Sequence, residues 1–362
     1  MEDTPPARLT AAIAHSLLTL PSMLVASLSL GIALLLPLQV CAEEASAVNA
    51  ASSVGAASSV DSAGSISSDS PPADTTYSAD PTRDYLSGKL ENWAKSLDSF
   101  FGDYRNYQES NDSVIQANAT QVLGSGGLST REFALDLKIS LPNTEKKVQF
   151  LIETNPEEKT AENQTKIKSP AIKPVSTPAS IAAALRFEKA EAERWHFSTD
   201  GGIQLAGLAS TPFVRARLSL AMPLEQWRMN VAESVFWFST IGAGESTLID
   251  FERPLSKQHL FRASSNATWL KNTQNFDLNQ SFSVYHTVDE RTAVLYQFNV
   301  SGVTQPQTQV SDYVLLMRYR YRWHREWIFL DISPQLHFPQ LLNYHPSLYL
   351  SVRLEFLLDK SR

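Results

Sequence analysis

Three arginines, Arg318, Arg320 and Arg322, occupy every second position of the stretch VLLMRYRYRWHREWIFLD, with Met317 before them and Tyr319 and Tyr321 between them. On an extended strand this spacing gathers the guanidinium groups on one face and the apolar side chains on the other. Such a row can hold phosphate or carboxylate groups, pair with acids on a neighbouring strand, or line a wet pore. Arg215 and Arg217 repeat the pattern in VRARLSLAM. If the turn after Arg322 sets that residue opposite Trp327, Arg318 comes opposite Asp331, and a cross-strand ion pair between those two is the expected use of the charge.

What the arginines do depends on the body that carries them. The chain has 362 residues and a formal charge of −7, so its acidic balance excludes nucleic acid as the main partner, which needs a basic face. Mean hydropathy is −0.19, and the long apolar run is N-terminal, from Leu17 to Val40. No helical membrane bundle fits that composition. The run follows Arg8 and ends in Val40-Cys41-Ala42, as an export signal cleaved after Ala42 would. An uncleaved anchor and a lipid-modified Cys41 are the alternatives. Cys41 is the sole cysteine, so a chain cleaved there carries no disulfide or cysteine-zinc framework. Neither a cofactor nor a metal is expected.

Residues 43–80 are Ala/Ser-rich, without lysine or arginine, and cannot bury enough apolar area to offset ordering entropy; they read as a disordered tether. Residues 81–102 change character. Asp80 can cap a helix that Pro81 begins and Gly102 stops, and Leu86, Leu90, Trp93, Leu97 and Phe100 fall at spacings of three and four. This apolar stripe on a periplasmic amphipathic helix packs either on the protein's own body or on a periplasmic partner. The lumen faces read below are mostly polar, so the expected seat is outside the lumen, at its rim.

From about Thr130 the period changes from 3.6 to 2 and stays there. Phe133, Leu135, Leu137, Ile139 and Leu141 face one way while Glu132, Asp136, Lys138 and Ser140 face the other. Segments of this kind recur to Leu358, each near the length of a tilted bilayer crossing. Tight turns alternate with wider connections such as GLASTP and TIGAGES, and Trp195, Trp227, Trp269, Trp323 and Trp327 fall near strand ends, as an aromatic girdle requires. The expected fold is all-β: a transmembrane antiparallel up-and-down β-barrel over 113–358, in the bacterial outer membrane. Fourteen strands result if SVIQANATQVLG supplies the first; twelve is the alternative, should that segment or the interruption at Asp200-Gly201-Gly202 not be strand.

The terminal stretch LYLSVRLEFLLD resembles the C-terminal strand through which the barrel-assembly machinery recognises outer-membrane proteins. RARLSLAMPLEQWRMNVAESVFWFSTIGAGESTLIDFERPL, DYVLLMRYRYRWHREWIFLDISPQLHFP and LDSFFGD together resemble a family of exported proteobacterial β-rich proteins without assigned function. The resemblance implies an outer-membrane barrel, with outer-membrane lipid and lipopolysaccharide around it, and carries over no catalytic residue. His196-x-Ser198 is similar to the pair of outer-membrane phospholipases and lipid A deacylases, but alternation puts Trp195 and Phe197 toward lipid and leaves His196 and Ser198 inside, away from a lipid substrate. No enzyme is expected. Glu233 would face lipid on strict alternation, and a β-bulge near Val231-Ala232 is expected to turn it inward. With Met317, Tyr319 and Tyr321 outward, Arg215, Arg217, Arg318, Arg320, Arg322 and Asp331 line the lumen. Two functions fit: a channel for small polar solutes with a mixed-charge lumen, or a plugged barrel serving envelope structure or assembly through its helix.

Overall fold

The structure, a computed structural model, describes residues 96–97, 100–101, 113–141, 147–161, 180–191 and 194–359. The leader over 1–42, the tether over 43–80 and, apart from Ser96, Leu97, Phe100 and Phe101, the helix over 81–102 lie outside the described residues.

Alternation of apolar and polar side chains produces strand after strand. The first are β1 (Val114–Gly124), β2 (Ser129–Ser140), β3 (Val148–Thr154) and β4 (Ile181–Glu191). Then come β5 (Trp195–Ala206), β6 (Ala209–Leu224), β7 (Trp227–Phe238), β8 (Gly242–Pro254) and β9 (His259–Leu270). β10 (Asn275–Thr287), β11 (Thr292–Val303), β12 (Gln309–Arg322), β13 (Ile328–Pro339) and β14 (Ser347–Asp359) complete them. Each strand is antiparallel to its neighbours, and β14 returns to β1 with Phe356 opposite Ala117, so the sheet closes into a barrel of fourteen strands. Closure pairs the backbone groups that an open edge would expose to lipid.

The twelve-strand alternative fails at both doubtful places. β1 forms and closes the barrel, and β5 runs through Asp200-Gly201-Gly202 without a break in its pairing. Gly202 opposes Ala184, and a Cβ at Gly202 would lie 2.3 Å from the carbonyl oxygen of Ala183 and 2.7 Å from the Cα of Ala184. The glycine is there because β4 approaches too closely for any side chain. Gly201, on the other face, has open space around it.

The connections differ from expectation in one respect. GLASTP is a two-residue turn at Gly207-Leu208, with Gly207 at φ 63°, and TIGAGES shrinks to residues 239–241. Asymmetry between the barrel ends therefore rests mainly on the single long connection between β3 and β4.

Outward and inward faces are the reverse of a soluble protein's. Phe133 is 72% exposed and Leu348 65%, whereas Arg186, Glu252, Arg320 and Glu355 are fully buried. Trp195, Trp227 and Trp269 face outward near the ends of their strands, and Trp323 and Trp327 flank the turn between β12 and β13. An apolar outer band between aromatic girdles around a charged interior is the surface of a barrel in the bacterial outer membrane.

Replacing Gly202 with valine is expected to abolish the compact, heat-modifiable band on unheated detergent gels, while Gly201→Ala retains it. Equal behaviour of the two variants would show that close approach of β4 is not what Gly202 serves.

Candidate functional site

The lumen is the concave surface on which chemistry could occur, and its inward residues follow from strand parity. On β12 the inward set is Asp312, Val314, Leu316, Arg318, Arg320 and Arg322; Tyr313, Leu315, Met317 and Tyr319 are exposed outside. The arginines lie on the inward face of β12, and the partner of Asp331 differs from the expected one. Arg320, not Arg318, stands opposite Asp331, and Arg322 stands opposite Phe329. The turn takes Trp323 to Trp327 out of the ladder, with His324 at φ 57° and the Trp323 amide donating to the Ile328 carbonyl. The ladder therefore slips by two residues, a displacement that leaves every side chain on its original face.

Arg320 is the centre of a buried network. Its guanidinium lies 2.9 Å from Asp331 and 2.7 Å from Glu355 on β14, and Arg353 holds the same Asp331 at 2.5 Å. The ring of Phe329 lies beneath Arg320, 4.2 Å from ring centroid to guanidinium carbon. Two cations thus share two carboxylates in a site closed to water on most sides.

A second network occupies the opposite wall. Arg186 on β4 forks onto both oxygens of Asp200 at 2.6 and 2.8 Å, and Arg215 on β6 bridges Asp200 at 2.5 Å and Glu153 at 2.6 Å. The β3–β4 connection enters this network. Its helix α1 (Pro156–Ala161) begins with a proline and two acids, residue types suited to a helix N-terminus. Thr160 of α1 accepts a hydrogen bond from Arg215 at 3.0 Å, Lys159 pairs with Asp136 on β2, and Glu157 accepts from Thr240 after β7. The long connection is thereby clamped against three parts of the wall. Sequence reasoning missed α1, although Asn-Pro-Glu-Glu at residues 155–158 is a usable helix-start signal.

Between these walls, Arg228 and Arg262 both hold Glu252, at 2.9 and 2.8 Å, and Arg262 donates to the Tyr285 hydroxyl at 3.0 Å. Arg217 faces inward, with a guanidinium nitrogen 3.5 Å from the Ser234 hydroxyl.

Both ends of the lumen carry inward apolar residues: Leu151, Ala182, Ala184, Phe213, Phe236 and Phe238 cluster toward the end where β4 and β6 begin, and a second cluster occupies the opposite end. Val114, Leu260, Tyr285, Ala293, Leu295, Phe329 and Leu357, inward residues of six strands, form this second cluster, at the end where the barrel chain begins and finishes. Leu97, Phe100 and Phe101 are buried in that same cluster. Phe100 meets Phe329 edge to face at 5.5 Å, and Phe101 meets Tyr285 likewise at 5.3 Å. The Arg322 guanidinium lies 5.4 Å from the Phe100 ring. The expectation that this stripe avoids the lumen is thus wrong for the described residues. The lumen is not uniformly polar, and its apolar collar receives Leu97, Phe100 and Phe101. Burying three such side chains contributes roughly 1.5–3 kcal/mol each.

Two other expectations resolve differently. No bulge turns Glu233 inward: its register with Leu218 on one side and Thr247 on the other is unbroken. It sits on the outer face, accepts a hydrogen bond of 2.7 Å from Thr247, and lies diagonal to Glu245. His196 and Ser198 do face inward, and His196 contacts Glu188, a partner the sequence reading did not find. Among the described residues the Ser198 hydroxyl has no hydrogen bond to His196, so the pair lacks the nucleophile-base contact.

No protein-family model matches the chain, and no curated protein is similar to it. Among solved structures, the CymD monoaromatic hydrocarbon channel is similar with a TM-score of 0.43 at 6% identity, over 70% of this chain and 90% of that one. The outer membrane channel DcaP of Acinetobacter baumannii has a TM-score of 0.40 at 8% identity, over 68% and 96%. The KdgM porin in complex with disordered oligogalacturonate has 0.33 at 6%, over 67% and 98%. These likenesses concern barrel architecture alone.

Arg320→Met strands two buried carboxylates on one remaining cation and is expected to cost about 3–5 kcal/mol, read as a lower midpoint of heat modification. Arg318→Met, which breaks no close ion pair, should shift that midpoint by less than about 1 kcal/mol. Glu233→Leu should raise it by about 1 kcal/mol, because a carboxylate leaves the lipid face; an unchanged or lowered midpoint would show that the outward acid is not a liability there.

Proposed function

We propose that the protein is an outer-membrane channel for small polar solutes which its own N-terminal helix holds closed from the periplasmic side. The observation that carries this reading is the seating of Leu97, Phe100 and Phe101 in the apolar collar of the lumen. A collar of inward apolar residues has no use in a water-filled pore, whose interior is polar, unless something apolar covers it. Leu97, Phe100 and Phe101 cover it, and the Arg322 guanidinium stacks on Phe100. Beyond the collar, the paired charges leave a wall of mixed sign suited to polar solutes and not to one class of ion by ring charge alone.

The strand β14 closes the barrel with Leu350, Val352, Leu354 and Phe356 on its outer face, which supports its use as the signal read by the assembly machinery. One observation favours a second reading, a barrel that never opens and serves envelope structure. The Arg186, Arg215, Arg228, Arg262 and Arg320 guanidiniums are all tied to carboxylates across the lumen wall.

Conductance separates the two. In planar bilayers the full-length protein is expected to be silent or to open only briefly, and a variant carrying Leu97→Glu and Phe100→Glu, or lacking residues 43–112, should show a large steady conductance. Silence in every variant that still shows heat-modifiable migration would establish the permanently filled barrel. A steady pore of equal size in the full-length protein would remove the helix from the mechanism.

A further inference from the structure

The lumen charges are not evenly matched around the barrel. On β4, β6, β7 and β9, Arg186, Arg215, Arg228 and Arg262 each lie within 3 Å of a carboxylate. On β12 and β14 the inward guanidiniums are Arg318, Arg320, Arg322 and Arg353, and the acids they meet are Asp331 and Glu355. Arg320 and Arg353 share both acids. Asp312, a further acid of this wall, is held by His337 at 2.9 Å and by the Phe338 amide. Among the described residues Arg322 meets the rings of Phe100 and Phe329 and no carboxylate. Arg318 makes no hydrogen bond and no close ion pair among the described residues.

Arg318 stands opposite Leu295 on β11, the collar residue farthest from the start of that strand, and so lies at the inner edge of the collar that Leu97, Phe100 and Phe101 fill. It is half-buried, with the hydroxyl of Ser333 on the adjacent inner face of β13, two residues along from Asp331. A guanidinium keeps its charge at every physiological pH, and an uncompensated cation away from bulk water is costly to maintain. The fork geometry of the group matches a carboxylate, which it can bind through two parallel hydrogen bonds.

We propose that this wall is a binding station for small solutes bearing carboxylate groups, with Arg318 as the residue that grips the carboxylate and Arg353, which retains a partly exposed edge, as its electrostatic support. The side-chain exposure of Arg353 is 24%, against 0% for Arg320, so Arg353 and not Arg320 can turn toward an incoming anion. Because the station lies at the inner edge of the collar, on the side away from Leu97, Phe100 and Phe101, a solute held there reaches it from the opposite end and waits above the closed exit. This inference deepens the channel reading and rests on it only in requiring that the lumen be reachable from that end.

Calorimetric titration of the purified full-length protein in detergent with citrate, at low ionic strength where screening is weak, tests the station without any need for conductance. Saturable binding is expected for the native protein. Arg318→Gln should weaken it about tenfold or more and Arg318→Lys by less, since lysine keeps the charge but loses the fork. Arg217→Gln, elsewhere in the lumen, should leave it unchanged. Each variant is first checked for heat-modifiable migration. Equal affinity of the native and Arg318→Gln proteins would overturn the proposal, as would absence of citrate binding in both the full-length protein and the form lacking residues 43–112. Binding that appears only after that deletion supports the station and places its access on the helix side. Citrate binding with Arg318 dependence in a barrel that never conducts would leave the station standing and remove the channel.

Discussion

Closure of the β1–β14 ladder is the constraint on which the rest of this protein depends. In hydrocarbon an unpaired backbone amide or carbonyl costs several kcal/mol, so the chain is stable there only as a complete ring. Closure also fixes two-sidedness. Once all fourteen strands are paired in one cylinder, every second residue must face lipid and every other must face the interior, whatever its chemistry. Glu233 shows the force of this rule. Its carboxylate is unfavourable outside, yet the ladder runs through it without a bulge, and Thr247 supplies the local hydrogen bond that makes the position tolerable.

The same rule delivers many charges to a narrow interior, where they must find each other. Asp200 between Arg186 and Arg215, Glu252 between Arg228 and Arg262, and Asp331 between Arg320 and Arg353 repeat one solution, an acid shared by two guanidiniums. Each triad joins different strands, so the networks brace the wall as well as neutralising it. Removing one member costs more than the triad contributes as a whole, because the partners remain buried. The apolar collar is the complement of these triads. Where inward side chains are Leu260, Leu295, Phe329 and Leu357, charge pairing cannot cover them, and Leu97, Phe100 and Phe101 do so instead. The long β3–β4 connection plays a related part elsewhere on the wall, with Thr160 and Lys159 entering the charge network beside Arg215 and Asp136.

Parity was legible in the sequence by itself, because a strand's period of two is a local property of the backbone. It determined the barrel, the outward Met317, Tyr319 and Tyr321, the inward arginines, and the inward placement of His196 and Ser198. The count of fourteen also followed from topology, given the weak strand at Val114–Gly124. Register did not follow. Arg318 opposite Asp331 and Arg320 opposite Asp331 have the same parity and differ only in how many residues the Trp323–Trp327 turn consumes. That depends on a turn geometry with His324 in the left-handed region, which no alternation pattern encodes. Gly202 is similar: read locally it interrupts a strand, whereas the approach of Ala183 and Ala184 makes it a requirement of that strand. The seat of the amphipathic stripe was likewise beyond local pattern. The stripe announces that an apolar surface is needed, but the collar is assembled from residues as distant in sequence as Val114 and Leu357. Only closure of the ring brings those residues to one level of the lumen, and so only the tertiary structure decided which arginines share carboxylates and where Leu97, Phe100 and Phe101 are seated.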